Sequence, residues 1–353
     1  MALRWRFGSA LLVLCASCGG GDATPAPADA GSDALVIPPP LPWKRNVTPL
    51  PQDDVLRVNH VQVLGTHNSY HVEKEGNTIA DWHYTMPPLD EQLQKHGVRQ
   101  IELDLHYKTK NDPIEVHHIG ALDEKTTCAT FRECLRVIGT WSGAHPNHFP
   151  IYVQMEPKGG YPSDDAEGYF AAVEGEILSV LVKERIITPD ELQGNAATLG
   201  EAVAKNGWPT LAQTRGRIIF MWDDGGEVRA AYSRGRTSLK GRLMFVESVP
   251  GDPLAAASVL NDPVADAAKI KAALAANMIV RTMDGEPSDD DVKSNATFDA
   301  ALSVGVTWIS TNFPAPVSYR TYHPVIPGGN PARCNPITAP PSCVAKDLED
   351  LGL

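Results

Sequence analysis

Positive charge is scarce in this chain. Its 353 residues carry 31 lysines and arginines against 43 aspartates and glutamates, a formal net charge of -12. A phosphate-rich polymer would be repelled without local compensation, which argues against nucleic acid as a partner and against a polybasic membrane anchor. An anionic substrate would need a bound cation. No glycine-rich fingerprint follows a strand, so a dinucleotide-dependent redox enzyme has no support. Internal repeats are absent, and no second linker interrupts the chain beyond residue 42. With 42% hydrophobic residues the chain can bury one large core or two small ones, and a single α/β barrel commonly takes about 250 residues.

The N-terminus has Arg4 and Arg6, a short apolar stretch from Ala10 to Leu14, and then Cys15-Ala16-Ser17-Cys18 followed by three glycines. That pattern reads as a signal peptide over residues 1–18 and is too short for a spanning helix. Small residues before a cysteine resemble a bacterial lipoprotein signal in which Cys18 becomes the lipidated first residue. Cys15 stands where such signals usually carry leucine, which leaves ordinary cleavage and full secretion as the alternative. Export is expected either way, to an outer-membrane or surface location or to the medium. Residues 19–42 are rich in Gly, Ala, Asp and Pro and cannot offset their own ordering entropy, so they read as a flexible tether. Folding is expected over residues 43–353, as one domain and as a monomer.

Four cysteines remain beyond the tether, in two local pairs: Cys128 with Cys134, and Cys334 with Cys343. In an oxidising compartment these read as two disulfides, the second closing a Pro-rich C-terminal loop. Neither spacing is the close type that structural zinc prefers.

Eight short apolar runs bounded by turn signals read as strands: Val61 to Thr66, Arg99 to Leu105, Ile114 to His117, Ile151 to Met155, Arg217 to Trp222, Met244 to Glu247, Met278 to Thr282 and Val306 to Ser310. Helical spacing appears at Asp90 to His96, Ala129 to Thr140, Ala166 to Glu184, Ala265 to Ala276 and Ala296 to Ser303. Strands alternating with helices argue for a parallel sheet, and eight of them for closure as an α/β barrel of the TIM type.

Polar residues collect at the C-terminal ends of the first four runs, the face that carries catalysis in such barrels. Glu102 and Asp104, two apart on a strand, point the same way and repel each other unless a proton or cation intervenes. With Asn68 and Glu156 they make an all-oxygen set suited to Ca²⁺ or Mg²⁺. The alternative is ion pairing of Glu102 and Asp104 with Lys or Arg across the barrel. His67 follows the first run, and His117-His118 ends the third. Two imidazoles can supply a general acid and a donor to developing phosphorane charge. His118 is the favoured one of its pair because it shares a strand side with Val116. Trp82, Trp141 and Trp222 are candidates for ring stacking or lipid contact, although packing explains most tryptophans.

Together, Leu64-Gly65-Thr66-His67-Asn68-Ser69-Tyr70, Ile101-Glu102-Leu103-Asp104, Val116-His117-His118 and Gln154-Met155-Glu156-Pro157-Lys158 resemble the calcium-dependent phosphoinositide-specific phospholipases C. The resemblance is closest to the single-domain bacterial branch and runs from about Asn59 to Pro314. It implies a distorted TIM (β/α)8 barrel of the PLC-like phosphodiesterase type, and cleavage of a phosphatidylinositol substrate at a membrane surface to diacylglycerol and a cyclic inositol phosphate. Carried over, His67 would stabilise the pentacovalent phosphate and His118 would protonate the leaving oxygen. Asn68, Glu102, Asp104 and Glu156 would hold Ca²⁺, with Lys158 on the phosphate and Arg281 on the headgroup. Two departures, Thr282-Met283-Asp284-Gly285-Glu286 after Arg281 and Asn312-Phe313-Pro314 after the last run, speak against a headgroup with extra phosphates. The competing readings are another barrel phosphodiesterase, of glycerophosphodiester or sphingomyelinase D type, and a non-catalytic lipid-binding surface lipoprotein.

Overall fold

The computed structural model describes residues 38–329 and 331–349; the signal segment, Cys18 and most of the tether lie outside them. The described residues belong to one compact unit. Its strands, in chain order, are β1 (Val61–Thr66), β2 (Gln100–His106), β3 (Glu115–Val116), β4 (Ile151–Lys158), β5 (Ile186–Ile187), β6 (Ile218–Trp222), β7 (Phe245–Val246), β8 (Ala257–Val259), β9 (Ile279–Met283), β10 (Trp308–Thr311) and β11 (Ala332–Cys334).

Parallel pairing runs β1-β2-β4-β6-β7 on one side and β1-β10-β9-β8 on the other. A parallel bridge between Glu247 and Ala257 joins β7 to β8 and closes a ring of eight. That seam is the thinnest part of the wall. Ser248 reinforces it, its backbone N–H donating to the Ala257 carbonyl at 2.9 Å while its own carbonyl accepts from the Ser258 hydroxyl at 2.6 Å. The distorted α/β barrel expected from the sequence is therefore the fold, although its third strand is not the expected one. Residues 114–117 supply only β3, which pairs antiparallel with the end of β2 as a hairpin outside the ring. The eighth barrel strand is β8, three residues of Ala-Ser-Val that lack the β-branched, alternating signal of a strand.

Helices cover the outside. The helix Phe131–Ala144 starts at Thr130, which exchanges hydrogen bonds with Glu133 in a capping box. The helix Ala166–Val180 is capped by Asp165 and stops four residues before the expected Glu184, where Leu181 turns extended. The remaining expected helices lie at Leu89–Lys95, Ala267–Ala275 and Asp291–Val304. Cys128 bonds to Cys134 and Cys334 to Cys343. The second bridge anchors β11, which pairs antiparallel with Val61–Val63 of β1, where β2 has not yet begun.

β1 and β2 meet at one register point, Gly65 opposite Gln100. A Cβ at Gly65 would overlap the Gln100 side chain, lying 2.8 Å from its Cβ. Gln100 is buried and accepts from Ser310 of β10, so it has little freedom to move away. Gly65→Ala should destabilise the fold by about 1–3 kcal/mol through overpacking, measured by urea unfolding. An unchanged midpoint would show that the contact is soft.

Candidate active site

The register of β2 on β4 aligns two sets of inward side chains, Gln100, Glu102 and Asp104 against Tyr152, Gln154 and Glu156. They build the barrel interior in layers. Tyr152 stacks on Trp308 of β10 with ring centroids 4.5 Å apart, forming an apolar floor. Above it, Glu102 Oε2 accepts from Arg281 Nη2 at 2.5 Å and from Gln154 Nε2 at 3.2 Å. Arg281 spends its other donors on Ser310 Oγ at 2.8 Å and Asn261 Oδ1 at 2.5 Å. At the mouth, Lys158 Nζ lies 2.9 Å from Asp104 Oδ2 and 2.7 Å from Glu156 Oε1. Glu102 and Asp104 are thus paired with Arg and Lys, as the alternative reading had it.

These ion pairs do not exhaust the site. One ligand oxygen from each of Glu102, Asp104 and Glu156 falls within 4.8 Å of the others, close enough to share a cation. Asp104 is fully buried, yet neither of its carboxylate oxygens accepts a well-directed hydrogen bond. A buried, acceptor-only group left in that state is costly unless something else meets it. Asn68, held at a left-handed φ of 43°, offers a side-chain oxygen that takes only a long 3.2 Å bond from Tyr70. Four oxygens of this kind suit a hard divalent cation such as Ca²⁺. Burial pushes Asp104 well above the usual carboxylate range, Lys158 opposing and the neighbouring acids reinforcing. Glu102 is raised for the same reason, with Arg281 opposing. Desolvation alone would lower Lys158, but Asp104 and Glu156 outweigh it and hold the ammonium above its ordinary value.

His67 stands just past β1, its backbone N–H on Thr311 of β10 at 3.1 Å. Its Nδ1 is 2.9 Å from Asn312 Oδ1, and the Asn312 amide is oriented by donating to the Gly285 carbonyl at 3.3 Å. Nδ1 therefore carries the proton, and Nε2, 3.8 Å from Glu102 Oε1, faces the carboxylates bare. Burial, with Arg281 adding to it, lowers His67 to about 3, so the ring is neutral. His118 lies on a loop beyond β3 rather than at a barrel strand end. Its Nδ1 donates to Asp123 Oδ2 at 2.8 Å, and Trp82 meets it edge-on at 5.5 Å. Burial lowers His118 while the Asp123 bond opposes. His117 turns away and stacks on His106 with centroids 3.7 Å apart.

Two expectations change in this light. Arg281 is buried with its guanidinium engaged inside the protein, which places it beneath the mouth rather than on its rim. Trp222 is fully buried, and Trp141 packs against His145 and Arg99, so of the three tryptophans Trp82 is the one beside the site. The sequence reading also passed over Asp123, His71 and the tautomer-fixing role of Asn312. A carboxylate five residues after His118 was the available signal for the first. Asp223 and Glu247, both raised to about 7 chiefly by burial, extend the acidic surface along β6 and β7; their strand-end positions were the signal.

A family model described as phosphoinositide phospholipase C, Ca²⁺-dependent, matches residues 56–112 and 107–336. The chain belongs to that family. Among solved structures it is similar to a calcium-dependent phosphoinositol-specific phospholipase C from a Pseudomonas species. For the apo form the identity is 17%, the TM-score 0.56, and the match covers 83% of this chain and 100% of that one. The same enzyme's myo-inositol complex matches with the same identity and TM-score. A Ca²⁺-dependent phosphatidylinositol-specific phospholipase C from Streptomyces antibioticus matches at 17% identity and TM-score 0.55, over 74% of this chain and 96% of that one. At these identities the structural likeness supports the fold. No curated protein matches the chain. The family is Ca²⁺-dependent, and Glu102, Asp104 and Glu156 are the group able to hold its cation among the described residues.

Protons and cation should compete for these raised carboxylates. As pH falls, Asp104 and Glu102 take up protons earlier than ordinary acids, so Ca²⁺ affinity should be weaker at pH of about 5 than at about 8, by about tenfold or more. Calorimetric titration at the two pH values reads this directly. An affinity independent of pH would contradict a site built on these groups.

Proposed function

We propose that this phospholipase C-type phosphodiesterase cleaves phosphatidylinositol to diacylglycerol and inositol 1,2-cyclic phosphate, which water then opens. The observation that carries the reading is the placement of two histidines with bound partners, His67 on Asn312 and His118 on Asp123, around the Glu102, Asp104 and Glu156 cluster. When bound, Ca²⁺ lowers the pKa of the attacking hydroxyl and neutralises the phosphate. Asn68, Glu102, Asp104 and Glu156 would hold it. Lys158, released from Asp104 and Glu156 by a competing cation, would then be free to meet a phosphate oxygen.

His67 is neutral, with its Nδ1 proton committed to Asn312. Its bare Nε2 therefore accepts the proton of the inositol 2-hydroxyl as that oxygen bonds to phosphorus. Once protonated, the same Nε2–H faces the developing phosphorane charge, which merges the base and the stabilising role expected of His67. The bond from phosphorus to the glycerol oxygen breaks, and His118 Nε2 gives that oxygen its proton while Nδ1 stays on Asp123. Arg281 acts from below by fixing the Glu102 carboxylate. Glycerophosphodiester and sphingomyelinase D readings have no observation of their own beside the family match.

In the cell, we place residues 43–353 as a single, monomeric catalytic domain acting on a membrane surface. Residues 1–18 would export it and residues 19–42 would tether it, with Cys18 lipidated in the lipoprotein form. The two disulfides support an oxidising, extracytoplasmic setting.

The purified protein should release cyclic inositol phosphate from phosphatidylinositol vesicles with Ca²⁺ and none with excess chelator. His118→Ala should lower that turnover by about 10²–10⁴-fold while leaving Ca²⁺ affinity intact. Equal product in chelator would remove the metal from the reaction. No product in either condition would favour a lipid-binding surface protein.

A further inference from the structure

The loop that bears His118 is not part of the barrel wall. The chain leaves the barrel after His106 and returns to the packed layers at the helix Phe131–Ala144, with only β3 between. A proton donor on such an excursion needs a tether to stay in productive geometry. Asp123 supplies one. Reciprocal backbone bonds of 3.1 and 2.7 Å between Ile119 and Asp123 close a turn that returns the carboxylate to His118 Nδ1.

Asp123 is itself held by a third histidine, which the proposed chemistry does not use. His71 is fully buried, and its Nε2 lies 3.0 and 2.9 Å from the two Asp123 oxygens. Its other nitrogen, Nδ1, is 2.9 Å from the Tyr84 carbonyl oxygen. A carbonyl only accepts, so Nδ1 carries a proton. The Asp123 carboxylate accepts as well, so both ring nitrogens of His71 face acceptors. The ring stacks on Tyr84 at 4.2 Å and lies edge-on to His118 at 6.4 Å. Backbone bonds from Val72 to Lys125 and from Thr127 to Tyr70 fasten the same two segments together.

We infer that His71 is a positioning residue for the general acid, holding both oxygens of Asp123 so that the carboxylate keeps His118 oriented through Nδ1. With His71 holding it, the carboxylate fixes the His118 ring by Nδ1 and leaves Nε2 to the leaving oxygen. This inference rests on the proposed phospholipase C reaction.

The test compares two leaving groups. Phosphatidylinositol expels an alkoxide that needs a proton, whereas an inositol phosphodiester of an acidic phenol expels a phenolate that does not. His71→Gln should lower kcat on phosphatidylinositol about hundredfold with KM changed less than about twofold, and lower kcat on the aryl ester less than about threefold. A merely structural residue would slow both substrates alike, and that result overturns the inference, as does full activity on both. In parallel, ¹⁵N NMR of the histidine-labelled wild-type protein should show the His118 proton on Nδ1, the nitrogen that the held carboxylate engages. A bare His118 Nδ1 overturns the inference even if the variant fails to fold. Wild-type protein that cleaves neither substrate would remove the phospholipase reading and this inference with it, an outcome distinct from equal slowing of the variant.

Discussion

Glu102 and Asp104 sit side by side in the barrel with almost no access to water, and Glu156 adds a third carboxylate above them. Desolvation penalises each charge and proximity penalises them jointly, so the arrangement persists only where opposite charge enters the same space. The protein supplies part of it. Arg281 reaches across from β9 to Glu102, and Lys158 spans Asp104 and Glu156. What remains is Asp104, whose two oxygens lack directed partners. The fixed guanidinium below and the long lysine above differ in one respect that matters: Arg281 is locked by three acceptors, while Lys158 is held only by the carboxylates a cation would claim. In the proposed site the lower pair is architecture and the upper pair the one a cation would exchange.

The histidines follow the same logic of bound partners. Each has one ring nitrogen committed to a protein acceptor, which leaves the other to the reaction. They differ in their supports. An amide holds His67, and burial leaves its ring neutral. A carboxylate holds His118, and a buried histidine shares that carboxylate. In the proposed reaction it is these neighbours that separate acid from base.

Much of this was legible in the residues. The alternation of β1, β2 and β4 placed His67, Glu102, Asp104 and Glu156 at one end of neighbouring strands, and period two put Glu102 and Asp104 on one face. The match of β1 to its expected span is complete because its apolar run is bounded on both sides by turn signals. Where the reading failed, local signal and tertiary role parted company. Ile114 and Val116 are apolar because they are buried against β2 and its neighbours, not because they form the wall. The true eighth strand, Ala257–Val259, is built of small residues and is recognisable only from the seam it closes. Arg281 was expected on the headgroup from its place at the end of the seventh run; its burial beneath Glu102 depends on the pairing of β9 with β10, which spacing along the chain does not encode. His71 and Asp123 stand 52 residues apart in the sequence, and nothing local announces their contact.

The central claim is that the carboxylate cluster is a cation site whose occupant displaces Lys158. The most direct measurement is a crystal structure grown with Ca²⁺, with the ion identified by its anomalous signal. The account predicts one ion coordinated by Asn68, Glu102, Asp104 and Glu156 at about 2.3–2.6 Å, with the Lys158 ammonium moved off Asp104. An ion bound elsewhere, or Lys158 still bridging Asp104 and Glu156 at saturating Ca²⁺, would contradict it.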